Sequence, residues 1–490
     1  MTLHLPAIAI LLPLLSAPIC VAVRHALVTR LLTVAVGWGS LAVSGELLRQ
    51  ALSGAPIHYE LGGFAPPLGI EYVIDTTTGY VLVIVSTIAA VVFSFGATTR
   101  GAALPAGREH LYYGAMLLCL AGLLGMTITG DAFNVFVFLE ISSLSSYALI
   151  GLGQDRRAPV AAFSYLIMGT IGGTFFLLGI GFLYQATGTL NMADMAERLA
   201  SLHRSRTVHV AFGFLTVGLS LKLAVFPLHQ WLPNAYARAP AVISAFLSAT
   251  ATKVMYYVLV RMIFTIFGAT FVFGKMGMDM ALVPLSLGAM FVGSLAAIFQ
   301  TDLKRLLAYS SVAQIGYMTL GLSFNSVNGL TGGLAHLFNH ALMKGGLFLA
   351  VACLVYRVGS SRLDDLAGLG KCMPITSAAF VTGGLALIGV PATVGFISKW
   401  YLVLAALETG QYLFAGLILL SSLLAVAYVL RVVEVLYFKA PKSPDVREAP
   451  VSLLLPTWIL IGATVVFGLR TELTAGLARS AAMQLLGAGS

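Results

Sequence analysis

The sequence predicts an all-α polytopic membrane protein with about 14 transmembrane helices. Of its 490 residues, 59% are hydrophobic and only 10% are charged, and the mean hydropathy is +0.94. Soluble domains carry about a quarter charged residues and could not bury so much apolar surface. Because one bilayer crossing needs roughly 20 apolar residues, the chain supplies a dozen or more crossings. Little is left for an extramembrane domain, which excludes a soluble globular enzyme.

Apolar stretches follow one another along the chain, and short connections join them. Lipid offers no partner to a backbone polar group, so a bundle of helices is the architecture that suits this pattern. The first stretch lacks a basic leader and an obvious cleavage site, so we expect a retained helix rather than a signal peptide. The predicted spans are residues 5–23, 31–50, 73–97, 111–129, 131–152, 160–186, 208–232, 240–268, 281–299, 306–323, 329–357, 374–405, 411–438 and 452–470.

The basic residues of the connections predict the orientation. With the N-terminus outside, 15 basic residues fall in inner connections and 7 on the outer side, as the positive-inside rule requires. The inner set is Arg24, Arg30, Arg100, Arg108, Arg156, Arg157, Arg238, Lys304, Arg305, Arg357, Arg362, Lys371, Lys439, Lys442 and Arg447. The outer set is Arg49, Arg198, Arg204, Arg206, Lys275, Arg470 and Arg479. Because the number of spans is even, both termini are expected outside, in the inner membrane of a bacterium.

Two outer connections are expected to have structure of their own. Residues 51–72 and the start of the next span hold two short β-like runs, 58–61 and 70–73, separated by glycine and proline. This pattern predicts a small hairpin. Residues 187–207 carry three arginines against the charge rule, and acidic neighbours lie among them. We interpret this connection as a short surface helix.

The net charge of +9 does not indicate a nucleic-acid partner, because the basic residues are spread along short loops and form no run. The four cysteines lie far apart, and three of them lie in apolar stretches. Neither disulfides nor a metal site is therefore expected. No flavin, quinone or iron–sulfur motif occurs, and no phosphate-binding motif follows a strand. The sequence predicts no cofactor in this chain.

Several ionisable side chains lie within the predicted spans. They are Glu140, Lys222, Lys253, Arg261, His336, His340, Lys344, Lys399 and Arg431. A charge at mid-membrane costs roughly 2.5–3.5 kcal/mol on insertion scales, so the lysines need partners, water or loss of their protons. Burial disfavours a charged lysine and a nearby carboxylate favours it. A lysine between these influences changes protonation state with its neighbours, which is what a proton relay requires.

Three of these spans carry residues that interrupt helices. Pro227 removes a backbone hydrogen bond five residues after Lys222 in the seventh span. The twelfth span is too long for one straight crossing, since its 32 residues would extend about 48 Å. Its run Gly389–Gly395 precedes Lys399, and the eleventh span carries two glycine pairs around its histidines. Breaks of this kind line polar interiors, and paired broken helices indicate a transport path.

An internal repeat is also predicted. Residues 160–188 align without a gap with residues 331–359, and both stretches are apolar, glycine-rich and followed by a proline-broken span. Because an odd number of spans separates the copies, the sequence predicts two inverted five-helix repeats, each with a broken helix. The expected divisions are residues 1–110 for the first three helices and outer hairpin, 111–268 for the first repeat, 281–438 for the second, and 439–490 for the last helix and tail.

Three motifs carry a family resemblance. They are Phe-Val-Phe-Leu-Glu at 136–140, Lys222 followed by Phe-Pro-Leu-His-Gln-Trp-Leu-Pro at 226–233, and Asp-Leu-Lys-Arg-Leu-Leu-Ala-Tyr-Ser-Ser at 302–311. Over nearly its whole length the chain resembles the antiporter-like, proton-translocating subunits of complex I, of Mrp-type multisubunit cation/proton antiporters and of membrane-bound hydrogenases. Residues 69–75 and the modest length look most like the D-type Mrp subunits.

The resemblance implies a buried glutamate with a lysine partner, a central lysine, polar bridging residues and a terminal lysine. In chain order these are Glu140, Lys222, Lys253, the bridging residues His336, His340 and Lys344, and Lys399. Some complex I relatives have glutamate at the last position. Lys399 therefore favours Mrp-like or shorter complex I-like members.

Structural interpretations stand beside these roles. A purely structural buried pair would also explain Glu140 and Lys222, although such pairs are costly to form. A histidine on a helix often only bonds a neighbouring backbone or hydroxyl group. Outside the relay, we expect Arg431 to pair with Glu434 three residues away. We expect Trp231 to lie in an aromatic belt at the membrane surface.

The leading hypothesis is a proton-translocating subunit of a multisubunit Na⁺ or K⁺/H⁺ antiporter, working with other membrane subunits. A proton would enter near Lys222 or Lys253, cross through the eleventh span and leave near Lys399, while Glu140 gates the transfer. The alternative is a proton-pumping membrane-arm subunit of a complex I-like or hydrogenase-like redox complex. Enzymatic turnover, as in NADH:quinone oxidoreductases, would then belong to the complex. A third hypothesis is a scaffold that conducts no protons, or a bicarbonate-uptake partner.

Overall fold

In the computed structural model the chain folds as a bundle of helices with a small β-hairpin. The structure describes residues 4–96, 107–153, 155–442 and 445–487. The strands are β1 (Ile57–Glu60) and β2 (Glu71–Ile74). The helices are α1 (Leu5–Val23), α2 (Ala26–Ser53), α3 (Thr76–Gly96), α4 (Glu109–Ile128), α5 (Ala132–Gly151), α6 (Ala158–Thr187), α7 (Met192–Leu199), α8 (Arg206–Leu223), α9 (Trp231–Arg238), α10 (Ala241–Arg261), α11 (Met278–Ile298), α12 (Leu303–Ser323), α13 (Val327–Val358), α14 (Leu369–Cys372), α15 (Pro374–Ile388), α16 (Val394–Glu408), α17 (Tyr412–Val433), α18 (Val451–Leu469) and α19 (Leu477–Leu486).

Every predicted span corresponds to a helix or a helix pair in the described part of the chain. Eleven helices there are long and apolar enough to cross a membrane, and α12 is one further predicted span. The remaining two are broken as predicted, the first into α8 and α9 and the second into α15 and α16. Arg100, which the charge count places in an inner connection, lies outside the described residues.

The predicted hairpin and the predicted short surface helix are both present. β1 pairs with β2 in antiparallel register, with Ile57 opposite Ile74. Asn191 caps the start of α7, and its side chain accepts two backbone N–H groups of the first turn. Its buried face carries Met195 and Leu199, so α7 lies against the bundle as an amphipathic surface helix.

A corner motif recurs in the two repeats. Asp131 caps α5 by accepting a backbone N–H at 2.7 Å, and Asp302 caps α12 by accepting one at 2.9 Å. Asp131 also forms an isolated β-bridge with Asn191, and Asp302 forms one with Arg362. Asp302 lies 171 positions after Asp131, and Arg362 lies the same 171 positions after Asn191. This offset equals that between the aligned sequence stretches, so the repeat extends beyond the aligned helices.

The two corners lie at opposite ends of the bundle. Asp131 begins α5 beside the hairpin, since the neighbouring Gly130 donates its N–H to a β2 carbonyl at 2.9 Å. Asp155 follows the far end of α5, and it lines the same cavity as Asp302. α5 and α12 therefore begin on opposite sides of the membrane, as inverted repeats require.

The helices of the two repeats also pack in corresponding ways. α4 packs against α5 and α10, as α11 packs against α12 and α17. α6 packs against the broken pair α8 and α9, as α13 packs against α15 and α16. α13 further packs against α10, α12 and α18. The two repeats thus meet at α13, which is surrounded by protein rather than lipid.

The expected interruption of the eleventh span is wrong, because α13 is continuous from Val327 to Val358. Its glycines allow close helix contacts instead. A Cβ at Gly333 would lie 2.4 Å from the Tyr256 hydroxyl, and one at Gly346 would lie 2.5 Å from the side chain of Ile461. The glycine pairs therefore seat neighbouring helices against α13.

Candidate functional site

The first helix break lies directly after Lys222. α8 ends at Leu223, and Ala224 takes a left-handed conformation with φ of 63°. α9 begins only at Trp231, whose indole donates to the Leu221 carbonyl at 2.9 Å. That bond satisfies one carbonyl left free by the break.

Trp231 is 2% exposed and stacks on Tyr165 with ring centroids 3.9 Å apart. The expectation that it lies in an aromatic belt at the membrane surface is therefore wrong. The indole holds the broken helix together from inside the bundle.

Lys222 lies among three polar groups of α5. Its Nζ donates to Ser143 Oγ at 2.8 Å, and it lies 3.4 Å from Glu140 Oε1 and 3.5 Å from the Tyr147 hydroxyl. The Lys222 side chain is 2% exposed and that of Glu140 is 27% exposed. Gly173 on α6 makes room for the carboxylate, since a Cβ there would lie 2.4 Å from Oε1. The predicted buried ion pair is present in this geometry.

The second helix break places Lys399 against the end of α15. Gly389 closes α15 with φ of 91°, and α16 begins after Thr393. The Lys399 Nζ donates to the carbonyls of Ile388 at 2.7 Å and Leu387 at 3.2 Å. It also lies 4.8 Å from the centre of the Tyr317 ring. A lysine from α16 thus caps the negative end of the α15 dipole.

Lys253 and Lys344 lie fully buried at the centre of the bundle. Lys253 donates to the Ser248 carbonyl and lies 3.4 Å from Thr252 Oγ1. Lys344 donates to the Leu307 carbonyl at 2.7 Å and to Ser310 Oγ. Within the described residues neither lysine has a carboxylate within 4.0 Å, so neutral oxygens alone surround both amines.

The two histidines lie between Lys344 and Lys399. His336 Nδ1 is 2.8 Å from Ser398 Oγ, next to Lys399, and the rings of His336 and His340 are 5.9 Å apart. Neither ring nitrogen of His340, nor Nε2 of His336, has a hydrogen-bond partner in the described part of the protein. Since each nitrogen must donate or accept, water is the partner that such buried groups take.

The seven candidate residues fall into two groups. Glu140 and Lys222 form one. The other comprises Lys253, His336, His340, Lys344 and Lys399, which lie on α13 and on two helices that pack against it, α10 and α16.

Aromatic side chains lie between the two groups. Tyr147, beside Lys222, contacts Tyr165 at 4.7 Å between ring centroids, and Tyr165 stacks on Trp231. Trp231 contacts Tyr236 at 6.4 Å, and Tyr236 interacts with Thr252, a neighbour of Lys253. The structure does not bring Lys222 into direct contact with Lys253.

Several polar residues of this region were missed by the sequence interpretation. Ser143 and Tyr147 follow Glu140 by three and seven positions, so helical periodicity places them on the same face. Gln314 and Tyr428 are buried, and Gln314 Oε1 and the Tyr428 hydroxyl have no hydrogen-bond partner within the described ranges. Polar spacing in the tenth span could have identified Gln314, whereas nothing in the sequence distinguishes Tyr428.

The expected pairing of Arg431 with Glu434 is wrong. Arg431 donates to the carbonyls of Ile298 and Gln300, which lie at the end of α11. A guanidinium with five donors satisfies free carbonyls at a helix end. Arg431 therefore joins α17 to α11 and stays out of the candidate path.

Comparisons with known proteins place this geometry in context. The family model described as "NADH:quinone oxidoreductase/Mrp antiporter, TM" matches residues 129–425, a range that contains all seven candidate residues. The chain is 42% identical to the NADH-quinone oxidoreductase subunit N of Desulforudis audaxviator, covering 96% of this chain and 97% of that protein. It is 28% identical to the D-type subunit of the Na⁺/H⁺ antiporter of Bacillus subtilis, covering 97% and 96%.

A solved structure resembles the chain over its whole length. One chain of the Mrp complex from Dietzia sp. DQ12-45-1b superposes with a TM-score of 0.90 at 26% identity, covering 100% of this chain and 98% of that chain.

Proposed function

The chain belongs to the NADH:quinone oxidoreductase/Mrp antiporter transmembrane family, and we propose that it carries protons across the membrane through its buried ionisable side chains. As a member of this family it is a multi-pass membrane subunit that assembles with other membrane subunits. The observation that carries the proposal is the arrangement of its lysines. Two lie at helix breaks and two lie between them, with the histidines, in the protein interior.

Glu140 controls the charge of Lys222 in this proposal. With Glu140 ionised, the pair favours a protonated Lys222, because each charge compensates the other in a medium of low dielectric constant. When Glu140 is protonated or turns away, Lys222 loses that compensation and gives up its proton. Glu140 is the more exposed of the two, so its charge is open to change by neighbouring molecules.

Repulsion moves the proton through the second group. A proton on Lys253 raises the electrostatic cost of one on His340 or Lys344, which lie within its field. Each arriving proton therefore favours release of the next one, toward Lys399. Lys399 binds carbonyls at the end of α15. Because helix breaks of this kind line polar interiors, the proton leaves the chain at this break.

A partner subunit is proposed to cover Glu140. The surrounding face of α5 exposes Phe133, Val137 and Leu144, which suits contact with lipid or with another apolar helix. A partly exposed carboxylate at that depth is costly in lipid. A partner that brings a polar or cationic group to Glu140 removes that cost and couples its own state to Lys222.

Antiport is the proposed driving reaction, in which Na⁺ or K⁺ moves against protons through coupling with partner subunits. The second candidate is a redox-driven proton pump. The 42% identity with a subunit named for NADH-quinone oxidoreductase supports this second candidate, while the similarity over nearly the whole chain to the D-type subunit of a Na⁺/H⁺ antiporter supports the first. We further propose that the membrane is a bacterial inner membrane with both termini outside, and that the repeats span residues 111–268 and 281–438.

Transport by single variants tests the proposal. Inverted vesicles from cells that hold the complete complex are prepared with Lys222→Ala, Glu140→Ala or Lys399→Ala, and a fluorescent pH probe reports proton movement. We expect each variant to lose at least about tenfold in rate, or ~1.4 kcal/mol in barrier. Lys371→Ala, an exposed lysine of an inner connection, is the control and should keep the parent rate.

Starting the reaction with NaCl or KCl, and separately with NADH, distinguishes antiport from a redox-driven pump. Parent-like transport by all three test variants would refute the proposal in favour of a scaffold.

A further inference from the structure

A second polar route runs beside the two histidines. Ser310, Gln314 and Tyr317 are separated by four and three positions on α12, so they lie along one helix face. All three are at most 1% exposed. Lys344 donates to Ser310 Oγ at one end of this face, and at the other end Lys399 lies 4.8 Å from the Tyr317 ring. Seven residues of helix extend about 10 Å, so the face joins the two lysines.

Tyr428 on α17 covers this face. Its side chain is fully buried, and it lies near Ser310 and Tyr317. Its hydroxyl and Gln314 Oε1 have no hydrogen-bond partner in the protein ranges described. Burying such groups unpaired is costly, so buried hydroxyls and amides in this situation bind ordered water.

Packing alone does not account for these two side chains. Phenylalanine at 428 or leucine at 314 would fill the same volume without leaving an unpaired polar atom in a membrane interior. The Tyr317 hydroxyl makes a long contact of 3.4 Å with Ser422 Oγ, so it too is available to water. Polar groups kept in such a place at a cost to stability are expected to have a function.

The hydroxyl branch is defined by four side chains: Ser310, Gln314, Tyr317 and Tyr428. We propose that the hydroxyl branch carries protons from Lys344 to Lys399 in parallel with His340 and His336. This inference rests on the proposed function, since it adds a second route between two groups of the same path. It assigns α12 and α17 a role that the histidines of α13 do not fulfil.

The transfer conserves protons at every step. Lys344 as an ammonium gives one proton to the branch and remains as a neutral amine. Each hydroxyl or water accepts a proton on its oxygen and passes on the one it held, while Gln314 Oε1 accepts a hydrogen bond and orients a water. Lys399 as a neutral amine takes the last proton and becomes an ammonium. Gln314 is thus a positioning residue, whereas Ser310 and the tyrosines pass protons.

The test uses the complete complex in inverted vesicles. Tyr428→Phe, Gln314→Leu and His340→Leu are each made alone, the first two are also combined with His340→Leu, and Lys399→Ala is included as the inactive reference. Tyr437→Phe is the matched control, because Tyr437 lies beyond the end of α17 and is partly exposed. All rates are divided by the amount of assembled complex, measured by blue-native electrophoresis.

Parallel routes predict a characteristic combination of rates. Each single change in the hydroxyl branch should lower the rate about threefold, since the histidines still conduct, and ~0.7 kcal/mol corresponds to that factor. Tyr428→Phe combined with His340→Leu should fall to the level of Lys399→Ala. The pH profile of Tyr428→Phe should also change shape, because its remaining transport depends on histidine protonation. Tyr437→Phe should change neither quantity.

The two proposals fail in distinguishable ways. If Lys399→Ala is inactive, both branch variants alone keep the parent rate and pH profile, and their combinations with His340→Leu transport as fast as His340→Leu alone, the hydroxyl branch is refuted and the proposed function stands. If Lys399→Ala transports at the parent rate, the proposed function is refuted, and the branch with it.

Discussion

Lys222 illustrates what a buried charge requires of its surroundings. Ser143 and Glu140 hold its amine, and Tyr147 lies at the limit of hydrogen-bond distance. These partners lie on one face of α5, so a small movement of α5 relative to α8 changes all three contacts together. Glycine on the neighbouring helix gives the carboxylate its space. The electrostatic balance at Lys222 therefore depends on how α5, α6 and α8 pack against one another.

Gly173 provides a test of that packing. Gly173→Ala places a Cβ 2.4 Å from Glu140 Oε1, so the carboxylate must move away from Lys222. We expect proton movement in vesicles to fall about fivefold, or ~1 kcal/mol in barrier. Gly181→Ala, on the same helix with no atom within 4 Å of its Cβ, is the control, and a parallel loss in that variant would assign the effect to α6 itself.

At the scale of elements, broken and continuous helices position different ionisable side chains. The first break follows Lys222 directly, and the second presents carbonyls at the end of α15 to Lys399. α13, by contrast, is unbroken and holds His336, His340 and Lys344 at intervals of four residues, on one face. A rigid helix keeps the spacing between relay groups fixed, whereas the breaks supply polar ends.

The corner at Asp302 tests how the second repeat is held. Asp302→Ala removes the cap of α12 and the hydrogen bond that Ser361 donates at 2.6 Å. We expect a loss of about 1–2 kcal/mol in stability, seen as a lower melting temperature in detergent. Asp302→Asn keeps an N-cap acceptor and should lose less. Equal losses in both variants would show that the charge, rather than the cap, stabilises the corner.

The whole molecule combines two inverted repeats with the ionisable side chains of the proposed proton path. Inversion places the corner of each repeat on opposite sides of the membrane, so the breaks of α8 and α15 occupy equivalent positions in oppositely oriented units. The proposed path runs across the interface between the repeats, along α13. Helices α1–α3 flank the first repeat, while α18 packs against α13 of the second.

Cysteine labelling tests the orientation of this assembly. Leu68, in the loop of the hairpin, is 97% exposed, and Arg362 lies exposed at the opposite end of the bundle. In a background with Cys372→Ser, we expect Leu68→Cys to react with a membrane-impermeant maleimide in intact cells. Arg362→Cys should react only in inverted vesicles. The reverse pattern would place both termini inside.

The sequence by itself determines which residues lie in each span. It also determines where the two helix breaks and the ionisable residues lie. Lipid imposes this result, because each crossing must be long, apolar and helical, and an ionisable group in a span stands out against it. Lys222, Lys253 and Lys399 are therefore visible without a structure. The constant offset of 171 positions between the two repeats can likewise be read from the sequence.

Only the tertiary structure decided which groups meet. Lys344 bonds to Ser310, 34 residues away, and Arg431 to carbonyls more than 130 residues away, although Glu434 lies three positions from it. The same holds for α13, whose glycines resemble a break in sequence but seat neighbouring helices in the fold. Partners of this kind depend on how helices rotate and pack against one another, and a pattern along one chain does not specify that rotation.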